Sequence, residues 1–434
     1  MRKMKDSGVE WIGVIPEAWC VYRNKNAFVC SKELVGEKSS VTQLLSLTTK
    51  GIKEKDINNA EGKLPETFDT YQKVNKNDLV MCLFDLDVSA VFSGISMYSG
   101  MISPAYKVLS CTGRTLPRYA DYWFQYISHG RKFNHYAKNI RYTLNIDEFM
   151  SLPMIFPSMD EQGKIADYLD SKCAKIDSII AKQEQIIEKL KKYKLSLITE
   201  AVTKGLDPNV EMKDSGVEWI GEIPAEWCLC RVKNLYQKVK NPVKVGPFGS
   251  QLTTSDYVSE GVWVYNQRVV LDKEFSENDT FISEEKYEEM KGFAVEEGDV
   301  LITTRGTGTT GHVVKVPKKY YKGILHPCLM RIKLDEDKCL FEFLYYVFEY
   351  GSYIRKQIDF ANNTSSLPVL YSYTLNNLSF ALPSISEQHR IVNQLDIYVK
   401  RVDRSILQKK ALIDQLKEYK KSLIYEVVTG KKEV

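Results

Sequence analysis

Recognisable catalytic machinery is what this chain most plainly lacks. There is no GxxxxGK loop for a nucleoside triphosphate, no Asn/Asp-Pro-Pro-Tyr/Phe tetrapeptide of an amino-methyltransferase and no GxSxG elbow. Gly306-Thr-Gly-Thr-Thr-Gly311 is glycine-rich, but its spacing is wrong for a dinucleotide turn. The five histidines are dispersed. Nine cysteines stand at no zinc-site spacing, and Cys228-Leu-Cys230 has no second pair nearby, so they read as reduced, mostly packed thiols. No stretch is apolar for the roughly 18 residues a membrane span needs, and MRKMKDSG lacks the apolar run of a signal peptide, so a soluble, cytoplasmic protein is expected. Charge of one sign is also missing. Lys and Arg number 60 against 56 Asp and Glu, leaving +4, so any polyanion-binding face has to come from local clustering. Acidic runs followed by lysine (Glu284-Glu285-Lys286, Asp335-Glu336-Asp337-Lys338) have the composition of a nuclease site and equally of an ordinary surface.

What is present is a repeat. Met4 to Trp19 reads MKDSGVEWIGVIPEAW, and Met212 to Trp227 reads MKDSGVEWIGEIPAEW. A second pair begins at Pro157 (PSMDEQGKIADYLD) and at Pro383 (PSISEQHRIVNQLD), with about 20 of 49 positions identical and no gap. The segments between these anchors barely resemble each other. Constant ends with different middles imply one scaffold presenting two surfaces. The boundaries expected are 1–156 (first anchor and variable segment), 157–205 (helix), 206–382 (second anchor and variable segment) and 383–434 (helix).

Both helices announce their starts. Ser158-x-x-Glu161 and Ser384-x-x-Glu387 are capping boxes, in which serine and glutamate satisfy orphan amides of the first turn. Apolar residues then recur at alternating spacings of three and four: Ile165, Leu169, Cys173, Ile176, Ile180, Ile187, Leu190, Leu197 and Ala201 in one copy, and Ile391 to Val427 in the other. This is a heptad seam. Gly205 and Gly430 stand where each helix should stop, giving about 45 residues apiece, roughly 65–70 Å. Polar residues interrupt the seams at matching places, Gln183 with Lys409 and Lys194 with Lys420. They either snorkel from the seam edge or fix register and partner. Matched stripes of this length predict an antiparallel pair.

The variable segments read as mixed α/β. Asp78 to Phe84 and Gly298 to Arg305 have buried-strand patterns, and Pro117 to Lys132 and Phe341 to Lys356 are helices with aromatics at helical spacing. Their polar loops supply groups suited to binding. Gly246-Pro-Phe-Gly-Ser250, followed by Ser255-Asp-Tyr257, lets backbone approach a partner closely, with Gly246, Phe248 and Ser250 as candidates. Arg305, Thr307, Thr309 and Thr310 lie on a loop just after a strand, where arginine suits guanine O6 and N7 and hydroxyls suit phosphate or base edges. Asn363, Thr364 and Ser365 add an amide suited to adenine. In the first segment Arg131, Lys132, Lys138, Asn139, Arg141 and Tyr142 form a basic run with an aromatic.

The anchors around Trp11–Trp19 and Trp219–Trp227, the GPFGS…SDY loop, GDVLITTRGTGTTG, and the PSxxEQxxI entry to each helix together resemble the specificity subunit of type I restriction–modification systems. The likeness covers essentially the whole chain. It implies an α/β (mixed α+β) fold with two target-recognition domains separated by two long antiparallel coiled-coil helices in a pseudo-two-fold repeat. It also implies double-stranded DNA read as a split site from the major groove, helices acting as the spacer, and docking of two modification subunits that carry S-adenosylmethionine. Two restriction subunits using ATP and Mg could join, and this chain would bind no cofactor or metal of its own. The first segment departs from the pattern, with Leu83-Phe-Asp-Leu-Asp87 where the second has its Arg-Gly loop. The four tryptophans of the anchors read as packing residues. Two other readings stay open: a non-catalytic coiled-coil protein-interaction adaptor, and a stand-alone DNA nuclease or methyltransferase.

Overall fold

The computed structural model describes residues 2–49, 51–56, 67–86, 92–129, 136, 143–361 and 368–434. The chain divides into two compact units, Met1–Gln185 with Lys409–Val434, and Ile186–Gln408. Each unit takes one anchor, one variable segment and part of both long helices.

In the first unit the anchor folds as a hairpin, Met4–Asp6 against Val14–Pro16. The strand that leaves it, Cys20–Arg23, pairs antiparallel with Pro153–Phe156, which feeds the first long helix. The variable segment therefore begins and ends side by side. Between those ends lie two four-stranded sheets. One has the spatial order Gly51–Lys55, Leu44–Thr48, Gly100–Ile102, Gln72–Val74, and the other Phe28–Ser31, Lys107–Cys111, Leu79–Met81, Ser93–Ile95.

The second unit repeats this plan. Its hairpin is Met212–Asp214 with Glu222–Pro224, and Cys228–Arg231 pairs with Ser379–Leu382. Its sheets run Tyr257–Val258, Phe281–Ile282, Val262–Tyr265, Gly323–Leu325, and Val243–Val245, Leu329–Ile332, Val300–Thr303, Val313–Lys315. Among the described residues each unit has one parallel pairing, Leu44 with Met101 and Val264 with Ile324. The second sheets match strand for strand; the first differ at their edges, where the second unit adds Tyr257–Val258 and has only the bridge Ala294–Ile324 in place of Gln72–Val74. Two dissimilar sequences thus build closely similar topologies.

The strands expected at Asp78–Phe84 and Gly298–Arg305 are shorter, Leu79–Met81 and Val300–Thr303. Their leading aspartates instead close turns: Asp78 accepts the Asn75 amide and Asp299 the Glu296 amide, both at 2.8 Å. The single helix expected over Phe341–Lys356 is two, Phe341–Tyr350 and Ser352–Ala361. Gly351 still bonds Val347, but its ψ of 104° leaves the helix, and the second segment starts afresh.

The long helices are Met159–Lys204 and Ile385–Val428, 46 and 44 residues. In the first unit Leu423, Ile424 and Val427 pack in one core with Trp19, Ile165 and Leu169. In the second, Ile198, Ala201 and Val202 share a core with Trp227, Ile391 and Leu395. Each of these two tryptophans is 1% exposed. Burying roughly 200 Å² of indole at about 25 cal/mol per Å² contributes about 5 kcal/mol per anchor.

The glutamates of these first turns also hold the anchors. Glu161 accepts the Ser158 amide and the Trp19 indole N–H (3.2 Å), and Glu387, whose own amide donates to Ser384 Oγ (3.3 Å), accepts the indole N–H of Trp227 (3.0 Å). The next residue is equally fixed. Gln162 and Gln388, both fully buried, accept the amides of Leu116 and Leu340 at 2.8 Å and donate to Pro157 and Pro383. The aromatic helices dock through Tyr122 to Asp170 and Tyr346 to Asp396, at 2.7 and 2.6 Å.

The polar seam positions are paired. Lys420 meets Asp177 and Lys194 meets Asp403, each at 2.7 Å, and these pairs are repeat images at the 226-residue offset from Pro157 to Pro383. Lys409 donates to Gln183 (3.1 Å), its own repeat equivalent. As the first helix ascends from 177 to 183, the second descends from 420 to 409, so the helices run antiparallel in the first unit. The polar breaks favour one register, as a buried polar seam residue does in a coiled coil.

Candidate nucleic-acid interface

A polyanion partner has to be held by cations and backbone amides and read by side chains on base edges. The loop after Val300–Thr303 carries such groups in the second unit. Thr304 anchors it, donating its amide to Cys328 (2.9 Å) and accepting that of Leu370 (2.7 Å). Arg305 is exposed and bridges Val369, and its carbonyl accepts from the Gln267 amide (3.0 Å) and the Thr309 hydroxyl (3.1 Å). Gly306 has φ 108°, and a Cβ there would sit 2.3 Å from Thr309 Oγ1, so the turn needs glycine. Thr307 is exposed and Thr309 half-buried. Thr310 is 2% exposed and spends its hydroxyl on the Gly306 carbonyl at 2.8 Å, and Arg355 donates to its own carbonyl. As placed, Thr310 shapes the loop from beneath.

The Gly246–Ser250 loop comes to the same turn of chain. The Gly246 amide donates to Leu329 (2.9 Å), and a Cβ on Gly246 would lie 2.1 Å from the His326 carbonyl oxygen. Phe248 is 72% exposed and Ser250 is exposed, held by Gln251, whose side chain accepts the Phe248 amide at 3.0 Å. The turn His326–Leu329 therefore gathers both loops. Burial, and after it the Arg305 guanidinium, hold the His326 imidazole below its ordinary pKa. The Cys328 amide points at His326 Nδ1 (3.1 Å), so the neutral ring carries its proton on Nε2. Burial, then the Cys328 and Asp256 charges, push the Tyr257 phenol up.

Of the residues expected on separate loops, the structure brings those of the Gly246–Ser250 loop (Gly246, Phe248, Ser250) and of the Arg305 loop (Arg305, Thr307, Thr309) to the turn His326–Leu329. Sequence reasoning missed His326 and Gln267, whose roles come from partners tens of residues away. It also missed Tyr371 and Tyr373, 65% and 78% exposed, which follow the strand-like bridge to Arg305. The available signal was two tyrosines two residues apart, Tyr371-Ser-Tyr373, in a polar stretch. Arg131, Lys132, Lys138, Asn139, Arg141 and Tyr142 lie outside the described residues, as do Asn363, Thr364 and Ser365.

The equivalent place in the first unit is chemically different. The Leu144 amide donates to the Leu83 carbonyl (2.8 Å) as that of Leu370 does to Thr304, so Phe84 takes the position of Arg305. Its ring packs against Tyr106, with centroids 5.9 Å apart. One unit offers a guanidinium where the other offers an apolar ring.

Residues 253–417 match the model of the type I restriction modification DNA specificity domain. The chain is 24% identical over 275 residues to the type I restriction enzyme StySPI specificity subunit of Salmonella potsdam, across 60% of this chain and 53% of that protein. It thus spans about half the length of this curated relative. Two solved structures share its fold across 96% of its length. One, described as showing complex assembly and conformational transition of the type I R-M system, has TM-score 0.70 at 12% identity over 99% of that chain. The other, the HsdS subunit of Thermoanaerobacter tengcongensis, has TM-score 0.51 at 13% identity over 98% of that chain.

Proposed function

We infer that this chain, which belongs to the family of type I restriction–modification specificity subunits, reads a split DNA target with one recognition domain per half-site. Family membership makes it the specificity component of such a system and not its catalytic part. Residues 1–156 and 206–382 are the recognition domains, and 157–205 and 383–434 the spacer helices. The observation that carries this reading is the contrast between what repeats and what does not. The bonds that seat each helix recur in both copies, Trp19 with Glu161 and Trp227 with Glu387. The loop-tip chemistry does not, with Phe84 in one copy and Arg305 in the other. Identical partners need identical seats, and two half-sites need different readers.

In the second domain Arg305 addresses a base edge while Phe248, Ser250, Thr307, Thr309 and the 363–365 segment meet bases or phosphates. The basic run from Arg131 to Tyr142 does the same in the first domain. Two modification subunits, supplying S-adenosylmethionine, dock on the helices. The exposed pairs Ile186 with Tyr193 and Leu412 with Tyr419, repeat images of each other, suit two copies of one partner. Restriction subunits with ATP and Mg would complete a cleaving complex.

Single-molecule methylome sequencing of a host expressing this chain with its modification partner tests the reading. A bipartite, adenine-methylated motif is expected, and the absence of any such motif would overturn it. Affinity for that motif should fall steeply with salt, because phosphate contacts release counterions.

A further inference from the structure

Among the bonds that tie the Arg305 loop to the body of the second unit, one runs through a histidine and can be made or broken by a proton. His312 Nδ1 lies 2.9 Å from Glu349 Oε2, and Nε2 lies 3.2 Å from the carbonyl oxygen of Gly308, near the loop's tip. Both partners are acceptors, so the ring satisfies both only with a proton on each nitrogen. A neutral ring protonated on Nδ1 would keep the Glu349 bond and set a lone pair against the Gly308 oxygen. Glu349 is fixed for this task. Its side chain is 10% exposed, and its second oxygen accepts the Val313 amide at 3.0 Å.

The charges around the pair come from three further segments. Arg355, on Ser352–Ala361, binds the Thr310 carbonyl and opposes an imidazolium. Lys273, after the helix Gln267–Asp272, acts on Glu349 and binds Tyr345. Gly308 contributes its carbonyl dipole. The Glu349 hydrogen bond, against burial, holds the His312 pKa above its ordinary value. Burial alone would raise Glu349, but the His312 and Val313 bonds and the charges of His312 and Lys273 hold it low.

The first unit lacks both members. The Cys82 amide donates to the Phe92 carbonyl (2.8 Å) as that of Thr303 does to His312 (3.0 Å), so Phe92 stands where His312 does. The matched bonds Tyr122–Asp170 and Tyr346–Asp396 align the aromatic helices, so Gln125 stands where Glu349 does. Phe92 is buried against Phe124 and Phe149.

We propose that His312, held by Glu349, is a positioning residue for the Arg305 loop, so that the half-site read by the second domain, and only that one, is recognised in a proton-dependent way. This rests on the functional reading above. The sign follows from the raised pKa. The loop's tie is complete below the ordinary imidazole value of about 6.5 and is lost as pH rises through the higher value in the folded protein.

The test uses the full chain assembled with its modification partner. Binding is measured on the methylome-defined duplex and on duplexes scrambled in either half, from about pH 5.5 to about 8.5, the range of a histidine switch. The second half-site's contribution should fall about tenfold across the transition, as for a lost hydrogen bond to a charged group, while the first's stays level. His312→Gln should flatten the profile at its weak end, and Glu349→Gln should move the fall to lower pH. Independently of DNA, hydrogen exchange of the full chain should show residues 306–311 protected at low pH in the wild type and unprotected in His312→Gln. A wild-type profile retained by both variants, or exchange unchanged by pH and by either variant, overturns the proposal. Failure to bind either half-site at any pH would overturn the functional reading instead, and the exchange measurement still decides the loop.

Discussion

Arg305 stands where strand becomes loop, its backbone locked by Thr309 and Gln267 and its side chain exposed. The backbone beneath it is thus preset, and the planar guanidinium can make two parallel hydrogen bonds to a guanine edge. Arg305→Ala should therefore weaken the second half-site by about 1–3 kcal/mol, roughly 5- to 150-fold, and leave the first unchanged. Arg305→Lys should recover only part of the loss, because a point charge cannot make the bidentate pair. Methylation rates on duplexes altered in one half at a time measure this. Equal loss at both halves would mark a folding or assembly defect. Arg305 was legible because a strand pattern ran straight into an arginine and glycines. His326 was not, since its place beneath the Gly246 and Arg305 loops depends on a turn some 80 residues from one and 20 from the other.

Local signals carry furthest at the scale of elements. The capping boxes and heptads give both long helices to within a residue or two, because a helix start is written in four adjacent residues and its face in a short period. What they do not disclose is that the capping glutamate also receives the tryptophan of an anchor some 140 to 160 residues earlier, at 3.2 and 3.0 Å. The strand starts and the break at Gly351 were misjudged for a different reason: short local turns override the apolar pattern, Asp78 and Asp299 each closing on the amide three residues earlier and Gly351 leaving helical ψ. The place of Glu387, in the first turn of the helix and on the Trp227 indole, gives a prediction. Glu387→Gln keeps the shape but replaces a carboxylate at a helix N-terminus, where it also accepts the Trp227 indole, with a neutral amide. The expected cost is about 1–2 kcal/mol, read as a lower denaturant midpoint with unchanged slope. Glu161→Gln should cost a similar amount in the first unit, and Trp227→Phe combined with Glu387→Gln should cost less than the two singly, since one removes and the other weakens the same bond. Additive losses would separate cap from anchor.

For the whole molecule, the repeat was legible from identity alone, and the two-unit division follows it, each unit holding one variable segment and part of both helices. The seam pairing shows how that scaffold could be resized. Deleting Ile180 to Ile186 together with Ile406 to Leu412 removes Gln183 with its partner Lys409 and leaves Asp177 facing Lys420 and Lys194 facing Asp403. A heptad is two turns of a supercoiled helix, so the apolar seam stays in phase. Each helix shortens by about 10 Å, the length of about three base-pair steps at 3.4 Å. Three base pairs also rotate a duplex by roughly 100° at about 10.5 per turn, whereas the deleted heptad barely rotates the helix ends. The DNA therefore has to twist to follow the full shortening, and the expected compromise is a spacer shorter by one to about three base pairs. Both half-sites should remain readable, because neither Arg305 nor the first domain's loops are touched. Methylome sequencing of the deletion variant measures the new spacer directly. An unchanged spacer with full methylation would mean that the helices seat the partner subunits without setting the distance between the readers.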